Sequence, residues 1–304
     1  MNYRYVTLCI LLTFLLFPLN SLAGDIKPYR LYLKTGVQFD DNVRLDALDA
    51  DNTSDSEDHL YKVFFSGRYS FINTEKIVTG IGYNHYQTWH NDLEEYDLTG
   101  STPEIYFKYQ WKPVTFRITY SPSWYWVNAD NYLTRHRIKP EWIIKPQDNL
   151  IFKLGYSYYD DDYEQKADDP RDGTLHEGSA DVYYGVMDKK VFFRCGFGYT
   201  DNNATGSGES YDQMTASAGV HITFPYDIKL NLLGRYRDRK YDESGPGEPA
   251  REDDKYLGSA SLSVPLFVKT VYLMVEYDYS KNNSSIDSYE YERNLVIGSL
   301  VLDF

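Results

Sequence analysis

The feature that most constrains this chain is its connection pattern: stretches of alternating apolar and polar residues joined by segments that are in turn very short and much longer. Fourteen such stretches can be read, at about 27–40, 59–72, 76–89, 98–111, 114–127, 133–144, 150–159, 176–187, 191–200, 211–224, 228–241, 255–264, 270–282 and 291–304. The tight connections are Asn73-Thr74-Glu75, Lys112-Pro113, 145–149, 188–190, 225–227 and 265–269. Between them lie 41–58, 90–97, 128–132, 160–175, 201–210, 242–254 and 283–290. A period of two puts alternate side chains on opposite faces of a strand, and Val114, Phe116, Ile118 and Tyr120 accordingly alternate with Thr115, Arg117, Thr119 and Ser121. A Greek-key sandwich has no reason to alternate its connection lengths. An up-and-down barrel with turns at one end and loops at the other must do so, with an even strand number and both chain ends on the turn side.

A half-buried sheet in a water-soluble protein would show the same period, so other features must decide. Arg4, the apolar run Val6–Phe17 and the small-residue site Ser21-Leu22-Ala23 have the layout of a secretory signal cleaved after Ala23. The run is too short for the roughly 20 apolar residues of a membrane-crossing helix. Beyond residue 24 no long apolar block occurs and the mean hydropathy is −0.54, as for membrane strands that are apolar on one face only. Aromatic residues make up 17% of the chain, which fits two interfacial girdles; Trp89, Trp111, Trp124, Trp126 and Trp142 fall near strand ends. The last residues, Val301-Leu302-Asp303-Phe304, place an aromatic residue at the end of an alternating strand. This resembles the C-terminal signal read by the outer-membrane barrel-assembly machinery.

The fold expected is therefore all-β: residues 1–23 a signal peptide, and 24–304 a single antiparallel up-and-down transmembrane β-barrel of about 14 strands, both termini periplasmic, in the outer membrane of a Gram-negative bacterium. Its surroundings are the lipid bilayer and lipopolysaccharide. Pro122 and Pro140 fall inside strands, where each removes a ladder donor, and bulges or bends are expected there.

With the apolar parity outward, the inward positions carry many more cations than acids, although the whole chain has a net charge of −14. Arg135, Arg137 and Lys139 on the sixth strand, and Arg235, Arg237 and Arg239 on the eleventh, form two period-two triplets on nearly opposite walls, toward the loop end. Arg117 and Arg194 join them. Two readings stand side by side: a hydrated channel with a positive constriction that favours anions, or arginines that brace the wall by pairing with inward acids, of which Glu276 and Asp278 are the first candidates. The acidic loops, such as 40–58 and 160–172, suit divalent cations by residue type. However, Asp49-x-Asp51 lacks the glycine and closing Glu of a calcium loop, so a solvated acidic surface is expected there.

Other chemistry finds no support. The negative charge opposes nucleic-acid binding. The histidines (59, 85, 90, 136, 176, 221) are scattered and none has metal-ligand spacing. No Ser/His or Asp/His set can be assembled. Neither an enzyme, a metal nor a cofactor is expected.

Gly36-Val37-Gln38-Phe39-Asp40-Asp41-Asn42-Val43 resembles the entry of the β-barrel porin family found with exopolysaccharide-production genes. Tyr289-Glu290-Tyr291-Glu292-Arg293-Asn294, followed by the closing strand, is similar to that family and to the barrel domains of surface-lipoprotein assembly modifiers. The basic, aromatic-rich lumen read beside this resemblance implies a porin-like channel for anionic solutes, with acidic oligo- or polysaccharides as the first candidates. The alternative it implies is a non-conducting barrel that assists surface assembly.

Overall fold

A computed structural model describes residues 27–45, 56–243, 250–268 and 270–304. The signal-peptide assignment and most of the first acidic loop, including Asp49-x-Asp51, lie outside these residues. The chain folds as β1 (Tyr29–Asp40), β2 (Asp58–Asn73), β3 (Ile77–His90), β4 (Leu98–Trp111), β5 (Val114–Val127), β6 (Asp130–Gln147), β7 (Leu150–Tyr163), β8 (Gly173–Val186), β9 (Val191–Ala204), β10 (Tyr211–Thr223), β11 (Lys229–Tyr241), β12 (Glu252–Pro265), β13 (Val271–Ser284) and β14 (Tyr291–Asp303). Each strand pairs antiparallel with its sequence neighbours, and β1 pairs with β14, closing the ring. Closure leaves no edge strand, so every ladder donor has a neighbour to bond.

The 14 expected strands are all present, and most differences are extensions at the loop end. The strand β7 runs on through Asp160, Asp161 and Asp162, which by composition read as loop. Likewise β6 begins at Asp130, leaving only Asn128 and Ala129 between β5 and β6. Both have left-handed φ, 49° and 65°, as a two-residue type I′ hairpin requires. Where polar strands rise clear of the apolar band, the ladder continues although the hydrophobic period has ended.

The parity is inside out relative to a soluble protein. Ile118, Leu154, Phe197, Leu273 and Val275 are exposed on the outer face, whereas Ser121, Ser157, Glu141, Gln213 and Ser299 are buried on the inner one. Extensive strand contacts run only between ladder neighbours, so no second layer covers the outer face. Such a surface is stable only against lipid.

The outer face also carries a regular belt. A tyrosine on each of β3, β5, β7, β9, β11 and β13 bonds to a polar side chain on the following strand: Tyr83–Ser101, Tyr120–His136, Tyr156–His176, Tyr199–Asp212, Tyr236–Asp254 and Tyr277–Asn294. Rings against lipid with satisfied hydroxyls suit the bilayer interface. Toward the turn end, Trp111 and Trp142 are exposed on the same face.

Of the bulges or bends expected at Pro122 and Pro140, the bulges are corrected. Register is kept through both; the shifts fall instead between Ser70 and Ile72, between Tyr125 and Trp126, and between Ile144 and Gln147. Pro122 lies opposite Pro103 on β4, and the ladder simply skips residues 102–104 and 121–123 before resuming in the same register. Two facing residues that both lack an N–H leave no donor stranded, so no extra residue is needed there.

Candidate functional site

The period-two spacing carries both triplets onto the inner face of the barrel, while Arg117 and Arg194 lie near the turn ends of β5 and β9. The wall of β6 and β7 is the braced one. Arg135 donates two hydrogen bonds to Asp161, Nε to Oδ1 and Nη2 to Oδ2, both 2.6 Å. Lys139 pairs with Glu141 at 3.0 Å, and Lys153 reaches the same carboxylate at 2.9 Å. Arg137 lies 5.1 Å from the ring centroid of Tyr159 and donates to Ser157 Oγ at 3.3 Å. On β9, Arg194 donates to Asp181 through Nε (3.0 Å) and Nη2 (2.8 Å). On β5, Arg117 lies 5.4 Å from the Tyr106 ring, and its Nε is buried without a hydrogen-bond partner.

The opposite wall is built differently. Arg239 donates through Nε and Nη2 to the amide oxygen of Gln213 at 3.0 and 2.8 Å, and through Nη1 to the Tyr241 hydroxyl at 2.9 Å. All these partners are neutral. Arg237 Nε, like Arg137 Nε on the first wall, is buried with no hydrogen-bond partner. Among the described residues neither Arg235 nor Arg237 has an ion pair. The cross-strand neighbour of Arg237 on β12 is Lys255, whose ammonium donates to the Tyr291 hydroxyl. Like charges placed directly opposite each other repel. Arg235, Arg237, Arg239 and Lys255 thus make no ion pair among the described residues, whereas on the β6–β7 wall Arg135, Lys139 and Lys153 do.

The two expected counter-charges fall apart in role. Glu276 is bound to Lys34, which reaches across β14 from β1. Asp278 lines a cavity with Arg235, Lys255 and Arg293 and has no ion pair among the described residues.

Sequence reasoning missed Arg251, Lys255 and Arg293. Arg251 lies just before β12, held between the rings of Tyr241 (3.6 Å) and Tyr289 (4.0 Å). Arg293 is clamped on Asp40, Nε to Oδ1 at 2.9 Å with Nη2 on the other oxygen. The missing signal has a physical cause. On β14 the inward Leu295, Ile297 and Val301 are as apolar as the outward Val296, Leu300 and Leu302, so its phase cannot be read. Many tyrosines are also inward, not in the girdles: Tyr159, Tyr211, Tyr241 and Tyr291 stack against Arg or Lys in the lumen.

Residues 59–303, from β2 to the end of β14, match the family described as "Surface lipoprotein assembly modifier". No curated protein matches the chain significantly. Among solved structures, the loop-L8 deletion mutant of OmpT, an outer membrane protein of Vibrio cholerae, aligns over 91% of this chain and 98% of its own at 8% identity, with a TM-score of 0.53. OccAB3 of Acinetobacter baumannii aligns over 92% of this chain and 100% of its own at 9% identity, with a TM-score of 0.50. At such identities the likeness is one of fold. That fold is the outer-membrane β-barrel of Gram-negative bacteria.

Proposed function

Starting from a chain that belongs to the surface lipoprotein assembly modifier family and is an outer-membrane barrel, we propose that it works as a porin-like channel for anionic solutes, acidic oligosaccharides among them. The observation that carries this reading is the wall of Arg235, Arg237, Arg239 and Lys255, which face the lumen beside tyrosines and make no ion pair among the described residues. In a dry core those charges would need carboxylate partners; in a water column they attract anions, and weak contacts at several sites permit transit. The turn end with both termini faces the periplasm, and the loop end faces outside. Residues 1–23 are a signal peptide, and Phe304 supplies the aromatic end read by the assembly machinery. Lipopolysaccharide surrounds the outer girdle. No catalytic role belongs to this reading.

A second reading, favoured by the family match, is a non-conducting barrel that assists surface-lipoprotein assembly. Planar-bilayer recording in a salt gradient separates the two. The channel reading predicts steady conductance with a reversal potential on the anion side. Replacing Arg235, Arg237 and Arg239 together by Gln lowers the chloride-to-potassium permeability ratio by roughly fivefold or more, since even one charge at 4 Å in water is worth about 1 kcal/mol. Electrical silence, or cation selectivity in the unaltered protein, would overturn the channel reading.

A further inference from the structure

We infer that the β10–β14 wall holds a two-unit binding track for a carboxylated sugar, so that passage of such a solute saturates. The inference rests on the anion-channel reading and adds a site to it. Two cavities, of about 400 and 320 Å³, lie along this wall and share Lys255. Each falls within the range of small-molecule sites, roughly 300–1,000 Å³.

In the outer cavity, Arg237 and Arg239 of β11 meet Lys255 and Asp253 of β12, Asn282 of β13 and Tyr291 of β14. Their register makes them neighbours: Arg239 faces Asp253, Arg237 faces Lys255, Lys255 faces Asn282 and Asn282 faces Tyr291. The Arg237–Lys255 juxtaposition is repulsive when empty. A carboxylate in the cavity offsets that repulsion and accepts from the guanidinium and ammonium groups that line it. The aromatic rings of Tyr289 and Tyr291 line the same space.

The acceptors decide what kind of anion fits. Asp253 sits among the cations; it takes a hydrogen bond from Ser284 Oγ at 2.6 Å and lies 3.3 Å from Arg251 Nε. A carboxylate at this place repels a bare anion and accepts from a hydroxyl. The second cavity repeats the theme, with Arg235 and the shared Lys255 beside Asp278, and with Leu233 and Leu295 as apolar lining. Arg293 is present there already held by Asp40. Two consecutive sites, each with cations, one carboxylate and an apolar or aromatic wall, fit a ligand whose units each carry a carboxylate, hydroxyls and a C–H face. That chemistry is an oligomeric hexuronate.

Titration calorimetry of the detergent-purified protein with digalacturonate, galacturonate and acetate tests this without requiring conductance. Digalacturonate should bind saturably and at least about tenfold more tightly than galacturonate, with acetate weaker still. Arg237→Gln and Asp253→Asn should each weaken digalacturonate binding by about tenfold, the usual scale of a hydrogen bond to a charged group. Lys255→Gln, which touches both cavities, should do the same, and heat-modifiable mobility on gels establishes that each variant is folded. Digalacturonate that binds no better than acetate, or binding indifferent to all three substitutions, would overturn the site. Binding without conductance would remove the channel and keep the site; anion conductance without digalacturonate preference would do the reverse.

Discussion

Replacing Asp40 by Ala destabilises the folded barrel by about 3–5 kcal/mol, the usual cost of stranding one partner of a buried ion pair. Asp40 is fully buried, with 0% exposure. It takes both contacts from Arg293, and also accepts from the Asn42 amide at 3.1 Å. These bonds lie at the loop end of the β1–β14 seam, the one ladder that joins the two ends of the chain. Next to them Asp41 binds Asn294 twice, accepting from its amide N–H at 2.6 Å and its side-chain nitrogen at 2.7 Å. At the other end Arg30 holds Asp303 at 2.9 Å. The Arg30 side chain is 64% exposed, so its pair contributes little. The check is the urea midpoint of refolded protein in detergent, followed by the gel shift of the folded form: Asp40→Ala falls far below wild type, and Arg30→Ala stays close to it. Equal midpoints for all three proteins would show that the seam does not depend on this cluster.

The second large effect is a matter of parity. Leu273→Arg places a charge on the lipid-facing side of β13, below the Tyr277 belt, at a position 47% exposed in the isolated barrel. A charge near the bilayer midplane costs about 2–4 kcal/mol. Met274→Arg, one residue on, points the same group into the lumen near Glu276, where water and a carboxylate receive it. Folding yield into vesicles should fall steeply for the first variant and little for the second. If the two behave alike, the outward assignment of Leu273 is wrong.

Much of this was legible from residues alone, and the reasons differ by place. On β5 and β11 one parity is apolar and the other polar, so Arg117, Arg235, Arg237 and Arg239 could be placed on the inner face. The strand count was readable because turns such as Lys112-Pro113 are short and punctuate the period. Loop-end boundaries were less so: Asp160–Asp162 continue β7 in water, where no lipid selects apolar side chains, and composition reads them as loop. By composition Asp161 therefore reads as part of the acidic surface, although it neutralises Arg135. The split between a braced wall and an open one was not legible at all, because it depends on which strand lies beside which residue. Lys255 and Arg293 were missed on strands whose inner faces include Leu257 and Ile297, which blurs the period. Pro103, facing Pro122 across two strands, is likewise a fact of register and not of sequence spacing.

The barrel rests on one piece of geometry: alternate residues of each strand meet lipid and water. The most direct measurement replaces residues 231–237 of β11 singly by cysteine, in a background where the exposed Cys195 is changed to Ala, and reacts each with a charged, membrane-impermeant thiol reagent in vesicles. Positions 231, 233, 235 and 237 should label rapidly, and 232, 234 and 236 slowly. Uniform labelling along the strand, or the opposite alternation, would contradict the barrel as described and the aqueous path with it.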